Sequence, residues 1–502
     1  MKKGSITIFL ALLLTCFFSA VFAFLEAARV CGLKANAQVS TMQARDTVLA
    51  SYNRDVWKNY HLMFWEAEEG DLPELDGLEA LQQSAIEGNL TAADTVQDNY
   101  YMLQVHLSEV TTTAYQLASD DGGSAFREQA AQMMKQNLGE TAAQAMMAWI
   151  TGEDESAQTD LEEEALDALE ALESAAAGDA QTEGDTASPD AGTSDGSADD
   201  GGVSSSGAEA ALPEVKMTEN PLEWVKKMRK NGILAIVLPE ESISQKSIEL
   251  SGCVGNRTLE SGSLTASESE TVTDKLLFYL YLDQYFLDAS EDSGDHALDY
   301  ELEYMIAGKA GDQENLKAVV RRLLLLREAA NLVYLETNAE KQREAAAIAA
   351  VLVSMVGQPE LEPLVQQGLL AAWAYAESVS DVRILLEGGK VSLVKTADQW
   401  HTELGSLSSS VYAAEGSSQT KGLSYANYLQ ILMWTTSEQK LTQRAMDMVE
   451  KNTGTAMDQM VCRAVCEYEY EAYPLFWNFV TLGQNSFGTL HFTDESGIYF
   501  SE

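Results

Sequence analysis

The stretch KKGSITIFLALLLTCFFSAVFAFLEAARV, residues 2–30, decides how the rest of the chain is read. No residue from Gly4 to Leu25 carries a charge. The run from Ile6 to Leu25 has the length of about 20 residues that an α-helix needs to cross a hydrocarbon core of roughly 30 Å. Lys2 and Lys3 precede it, so the positive-inside tendency puts residues 1–5 in the cytoplasm as a short leader and the body outside the cell membrane. Ile6, Phe9, Leu13, Phe17, Val21 and Leu25 are then the expected contacts with membrane lipid.

The competing reading is a cleaved signal peptide, with Val21-Phe22-Ala23 as the peptidase site and Phe24 as the first residue of the product. The apolar run exceeds the usual signal core of about 7–15 residues, and no polar new terminus follows it. Between Leu33 and Glu69 there is neither Gly nor Pro. Val30, Leu33 and Ala37, then Val48, Tyr52 and Val56, recur at helical spacing, which predicts an amphipathic stalk helix over 26–60 continuous with the span at 6–25. A lipoprotein reading of Leu13-Leu14-Thr15-Cys16 fails at Thr15, where a smaller residue is expected.

Composition removes several function classes. The chain has 502 residues, 46% of them hydrophobic, enough for substantial cores, and a formal charge of −46 that repels nucleic acid and anionic headgroups. The basic residues Lys317, Arg321, Arg322 and Arg327 share one predicted helix and are expected to pair with local carboxylates, the alternative being that they hold the acidic segment 151–212. Five cysteines, Cys16, Cys31, Cys253, Cys462 and Cys466, make no disulfide framework. Cys462 and Cys466 would share a face of a helix predicted over Met457 to Tyr470, but no second pair completes a metal site, so buried thiols are expected. The histidines at 61, 106, 296, 401 and 491 are scattered. No phosphate loop, dinucleotide fingerprint or nucleophile elbow is present, and Gly388-Gly389-Lys390 reads as the end of a helix after Glu387. Neither catalytic residues nor a cofactor nor a metal is assigned, and an activity is not expected.

The body reads as mainly α with a minor β component. Trp57, Tyr60, His61, Phe64 and Trp65 are expected to dock the stalk on the body, and residues 61–150 to be helical. Residues 151–212 hold 18 Asp and Glu with no basic residue and read as a disordered linker or insertion. In 213–502, a strand over Ile233 to Leu238, a series of helices after Thr273, and a terminal hairpin around Thr493 to Gly497 are predicted. The apolar segment AAAIAAVLVSMV, residues 345–356, is too short for a second span and reads as a buried helix.

The start KKGSITIFLALLL, followed by FLEAARV and the long helix, resembles the membrane anchors of TadE/TadG-like pseudopilins of tight-adherence, or Flp-type, pilus systems. More specifically, NPLEWVKKMRKNGILAIVLPE, GKAGDQENLKAVVRRLLLLREAANLVYLE, AAWAYAESVSDVRILLEGGKVSLVKT and GLSYANYLQILM resemble a large uncharacterised family of Gram-positive bacteria with this anchor and a helical extracellular body. The resemblance implies prepilin-type processing after Gly4, leaving Ser5 as the new terminus. Position five then falls on Phe9, where a pilin carries Glu. It also implies a structural role through contacts with other pilus or envelope proteins. The alternatives are a membrane-anchored adhesin outside any filament, and an extracytoplasmic hydrolase whose site is assembled from residues distant in sequence.

Overall fold

The computed structural model describes residues 3–67, 75–94, 101–138, 220–230, 234, 237–238, 243–264, 271–291, 294–413, 422–475 and 489–500. The acidic segment 151–212 and residues 139–150 before it lie outside these residues. In chain order the elements are α1 (Lys3–Leu49), α2 (Arg54–Tyr60), β1 (Trp65–Glu66), α3 (Asp76–Asp94), β2 (His106–Leu117), α4 (Asp120–Leu138), α5 (Pro221–Lys230) and α6 (Val272–Tyr285). Then come α7 (Glu301–Ala307), α8 (Asp312–Thr337), α9 (Ala339–Val356), α10 (Glu362–Leu386), α11 (Leu407–Ala413), α12 (Tyr425–Trp434), α13 (Glu438–Thr453), β3 (Met460–Ala472) and β4 (Leu490–Tyr499). Among the described residues the protein is mostly helical with one small antiparallel sheet, and the chain divides into two compact units.

The first unit comprises residues 1–147, 249–285 and 439–502. Helix α1 runs unbroken for 47 residues, about 70 Å at 1.5 Å per residue. Its side chains from Ile6 to Leu25 are exposed on every face. Beyond that point Leu33, Ala37, Ala44 and Val48 form one buried stripe, against α3 (Leu78, Ile86) and the sheet (Val110, Val461, Ala464, Tyr468, Tyr470, Ile498). Thr41 Oγ1 meets the Tyr470 hydroxyl at 2.8 Å inside this contact. The distal half of α1 is therefore a wall of the body and not a free stalk.

Two expectations about this helix are corrected. It ends at Leu49 instead of near Tyr60, and α2 is a separate helix. The break needs no Gly or Pro: the Asn53 side chain accepts the Asp55 and Val56 N–H groups at 3.0 Å, offering the backbone a local cap in place of continued helix. Of the aromatic cluster beyond it, Tyr60, Phe64 and Trp65 are buried, while Trp57 and His61 stay at the surface.

The sheet is built around β3, which pairs antiparallel with β2 and β4 along its length and with β1 at its start. Residues 460–470 were expected to be helical, and the stretch 61–150 to contain only helices; β3 and β2 correct both. In β3, Ala464, Cys466, Tyr468, Tyr470 and Ala472 face the core, while Glu467 and Glu469 face water, an alternation with period two. Ala and Glu are good helix formers, and the four-residue Cys spacing fits either period, so local propensity pointed the wrong way. Cys462 and Cys466 are free and buried as expected, Cys462 Sγ lying 3.2 Å from the Gln116 carbonyl. Burial pushes the Cys462 thiol up to about 12 and also raises Cys466. The C-terminal residues form one continuous strand paired with β3, not a hairpin of their own.

In the second unit, residues 148–248 and 286–438, α8 and α10 pack along one another with α9 and α5 against α10. Trp373, Leu369, Leu323 and Val320 lie in its core. Segment 345–356 is helical and half buried, with Ala345, Ile348 and Ala349 inward and Met355 outward. The expected strand over Ile233 to Leu238 is not one at its described positions: the Leu238 N–H bonds the Leu234 carbonyl at 2.9 Å, a helical turn. Helix α10 ends where expected, with Gly388 in the left-handed region (φ 82°) and the Gly389 N–H bonded to the Ile384 carbonyl at 2.8 Å.

The start of α4 depends on a left-handed turn at Asp121, Gly122 and Gly123. A Cβ on Gly123 (φ 85°) would lie 2.5 Å from Thr442 Cγ2 of α13. We expect Gly123→Ala to destabilise the first unit by about 1–3 kcal/mol, read as a fall in its thermal midpoint. An unchanged midpoint would show that this turn relaxes freely.

Candidate functional site

Of the residues singled out from sequence, Ile6, Phe9, Leu13, Phe17, Val21 and Leu25 lie on the exposed apolar half of α1, from 36% to 68% accessible. Gly4 and Ser5 lie in the first turns of the same helix. By length and composition α1 is a candidate single membrane span.

Where that half ends, the helix is fastened to the body. Glu26 and Arg29, one turn apart, are both buried and paired at 2.9 Å. The Arg29 guanidinium also donates to the Tyr473 carbonyl at 2.8 Å and to the Met102 carbonyl, and Glu26 accepts from the Leu475 N–H at 3.4 Å. Three chain segments thus converge on one ion pair at the foot of the first unit. FLEAARV gave a partial signal for it, since two opposite charges one turn apart close an otherwise apolar run.

The second unit holds a denser polar cluster that sequence reading missed. Helix α10 is apolar around Glu377 and Asp381, which share one face and are wholly buried. Lys395, from the segment after α10, contacts the Glu377 carboxylate and lies 2.5 Å from Asp381 Oδ1, at an angle poor for a hydrogen bond. Arg327 of α8 donates to Asp381 at 3.0 Å, to the Leu393 carbonyl at 2.7 Å and to Asn331 at 3.1 Å. Of the four expected local pairings on α8, that of Arg327 is replaced by this inter-helix one. The Asn331 amide completes the set, donating to Ser378 and to Asp381, each at 3.0 Å.

Glu377, Asp381 and His401 each offer one ligand atom within 4.8 Å of the others, so a metal centre has to be weighed here. The donor set does not fit one. Lys395 stands between the two carboxylates as their cation, and with Arg327 it balances both charges. Glu377 is also saturated. One oxygen accepts from the His401 N–H at 3.0 Å and meets its Nδ1 at 3.3 Å, and the other accepts from the Thr402 N–H at 2.8 Å and hydroxyl at 2.6 Å. Burial alone would raise the Glu377 carboxyl, but the Lys395 ammonium together with His401 and Thr402 holds it far below the usual carboxylate range. It is a poor proton acceptor, and its chemistry is that of a lock between α8, α10 and the chain after them. Trp373 and Trp400 cover the site, with the Lys341 ammonium 4.3 Å from the Trp373 ring centre.

A second buried carboxyl cluster sits at α7. Glu301 accepts from the Leu287 N–H and meets His296 Nδ1, both at 3.0 Å. Glu303 accepts from the Ala289 N–H at 3.0 Å and from the Tyr425 hydroxyl at 2.6 Å. Burial, and then the Asp288 carboxylate, push Glu303 up to about 8.

Residues 213–472, more than half of the chain, match the model of DUF5702, a family of unknown function, and the chain belongs to that family. No curated protein and no solved structure matches it. Both carboxyl clusters and strand β3 fall within the matched residues.

Two outcomes follow from the clusters. Lys395→Met strands Glu377 and Asp381 with a single cation, and a loss of about 3–5 kcal/mol is expected in urea unfolding, partly restored by adding Glu377→Gln. A loss below the error of the measurement would mean the lock carries no stability. For Glu303 the folded chain holds a proton that the unfolded chain, at its ordinary value of 4.5, releases. Its contribution is therefore fully present below about pH 4.5 and is lost as pH rises towards 8. Glu303→Gln should gain stability relative to wild type across that window, whereas a pH-independent difference would exclude Glu303 as the titrating group.

Proposed function

We propose that this protein is a single-span envelope protein, with a cytoplasmic N-terminus, whose outer body acts through protein contacts as a pseudopilin-like or accessory subunit of a tight-adherence-type pilus or secretion assembly. The observation that carries this reading is the continuity of α1. One unbroken helix is apolar on all faces for 20 residues and then packs a single stripe on a sheet and a second helix. That arrangement lets a subunit be held in a bilayer by burial and handed to neighbouring apolar helices without rearranging its body. The Glu26–Arg29 pair supports it, because the joint between membrane and body is fixed instead of hinged. The KKG leader supports the pilin-like form, while Phe9 in place of a pilin's Glu leaves filament entry to be tested directly.

Intact mass and terminal sequencing of the protein from cells, with pili sheared away beforehand, test both levels. A mature terminus at Ser5 and recovery in the sheared fraction are expected for a processed filament subunit. Met1 or Lys2 with retention in the membrane would point to an anchored accessory or adhesin, and Phe24 would mean ordinary secretion and end the anchor reading.

A further inference from the structure

The residues fastened to the Glu26–Arg29 pair have a second property in common. Met102, Tyr473 and Leu475, whose backbone groups bond to that pair, turn their side chains outward and are 52%, 66% and 39% exposed. Phe24, just before the pair on α1, is 76% exposed. Four large apolar or aromatic side chains from three separate segments thus surround the point where α1 leaves the body. Water is a poor solvent for such a group.

The level of this rim follows from helix geometry. Arg29 lies four residues past Leu25, about 6 Å further along the axis. The headgroup layer on each side of the hydrocarbon core is of similar depth, since a bilayer is about 40–45 Å thick in all and about 30 Å in its core. The bonds from Arg29 and Glu26 hold Met102, Tyr473 and Leu475 at that depth. Tyr is a residue that favours this layer, its ring in the apolar side and its hydroxyl in the wet side.

We propose that Phe24, Met102, Tyr473 and Leu475 form a lipid-contacting rim, so that the foot of the first unit is seated in the headgroup layer of the bilayer that α1 spans. The inference rests on the anchor reading of α1. Its occupant is the membrane surface and not a protein, because the rim is continuous with the exposed apolar face of the span itself. The contact is apolar in origin; a chain with a net charge of −46 gains nothing from anionic headgroups. The consequence is orientational: contact on segments beyond the helix fixes tilt and rotation of the first unit, which a span alone leaves free.

The test uses the full chain in vesicles of phosphatidylethanolamine and phosphatidylglycerol. The two exposed cysteines are removed as C16S/C31S, while the buried Cys253, Cys462 and Cys466 stay unreactive in the folded protein. Single nitroxides are placed at Phe17→Cys, Met102→Cys, Leu475→Cys and, at the distal end of α1, Thr47→Cys. Collision with oxygen and with a water-soluble nickel chelate then reads depth. We expect Phe17 in the hydrocarbon, Met102 and Leu475 at headgroup depth with nickel accessibility several-fold below that of Thr47, and Thr47 fully aqueous. Phe17 in lipid with Met102 and Leu475 as aqueous as Thr47 would overturn the rim and leave the anchor standing. Phe17 in water would overturn the anchor itself.

Discussion

A single helix carries two kinds of surface, apolar on every face and then apolar on one stripe, and the first unit is arranged around the change from one to the other. Over residues 6–25 every face of α1 is apolar and exposed, and the helix satisfies its own backbone, which is the composition a bilayer core requires. From Leu33 to Val48 the same helix meets protein on one side and water on the other, and only a stripe can be apolar. The change of regime happens within about two turns. With residues 6–25 in lipid, as proposed, apolar side chains at that place could choose lipid as readily as protein, and the joint would need something stronger than hydrophobic contact. The buried Glu26–Arg29 pair, with carbonyls and an N–H from two other segments, supplies directional bonds where hydrophobic burial cannot discriminate.

The sheet answers the same demand from the other side. β3 lies between β2 and β4, with alternate side chains against the α1 stripe and glutamates on the opposite face. An antiparallel sheet with one face covered and one solvated tolerates that alternation. Across α8 and α10 the problem is different. Two carboxylates on a buried helix face are costly, and they are matched by one lysine and one arginine from elsewhere in the chain, leaving a charge-balanced cluster. Such a set confers little net stability over apolar packing, yet it penalises any register in which one member loses its partner.

Legibility in the sequence followed the range of the interactions. Helices α8, α9, α10, α12 and α13 fall where a series of helices after Thr273 is read, because a 3.6-residue period and local caps act within one segment. The gap between α1 and α2 was not, since an Asn cap leaves the hydrophobic period intact. β3 was missed because Glu and Ala carry helix propensity, while its strand state comes from neighbours about 350 residues and about 30 residues away along the chain. Within the second unit, Glu377 and Asp381 stood out only as two acids in an apolar helix; that Lys395 and Arg327 would answer them depends on how α8 and α10 come together.

The sequence by itself determined the long apolar N-terminal helix and most helices of the second unit after Thr273, because solvent preference and helical period are properties of contiguous residues. It also determined that no familiar catalytic motif is present. The tertiary structure alone decided that the distal half of α1 is a wall and not a stalk, that residues 460–472 are the central strand, and that four charges from distant positions neutralise one another. Pairing between strands and between buried ions is a relation between separated segments, and no local pattern encodes which partner will arrive.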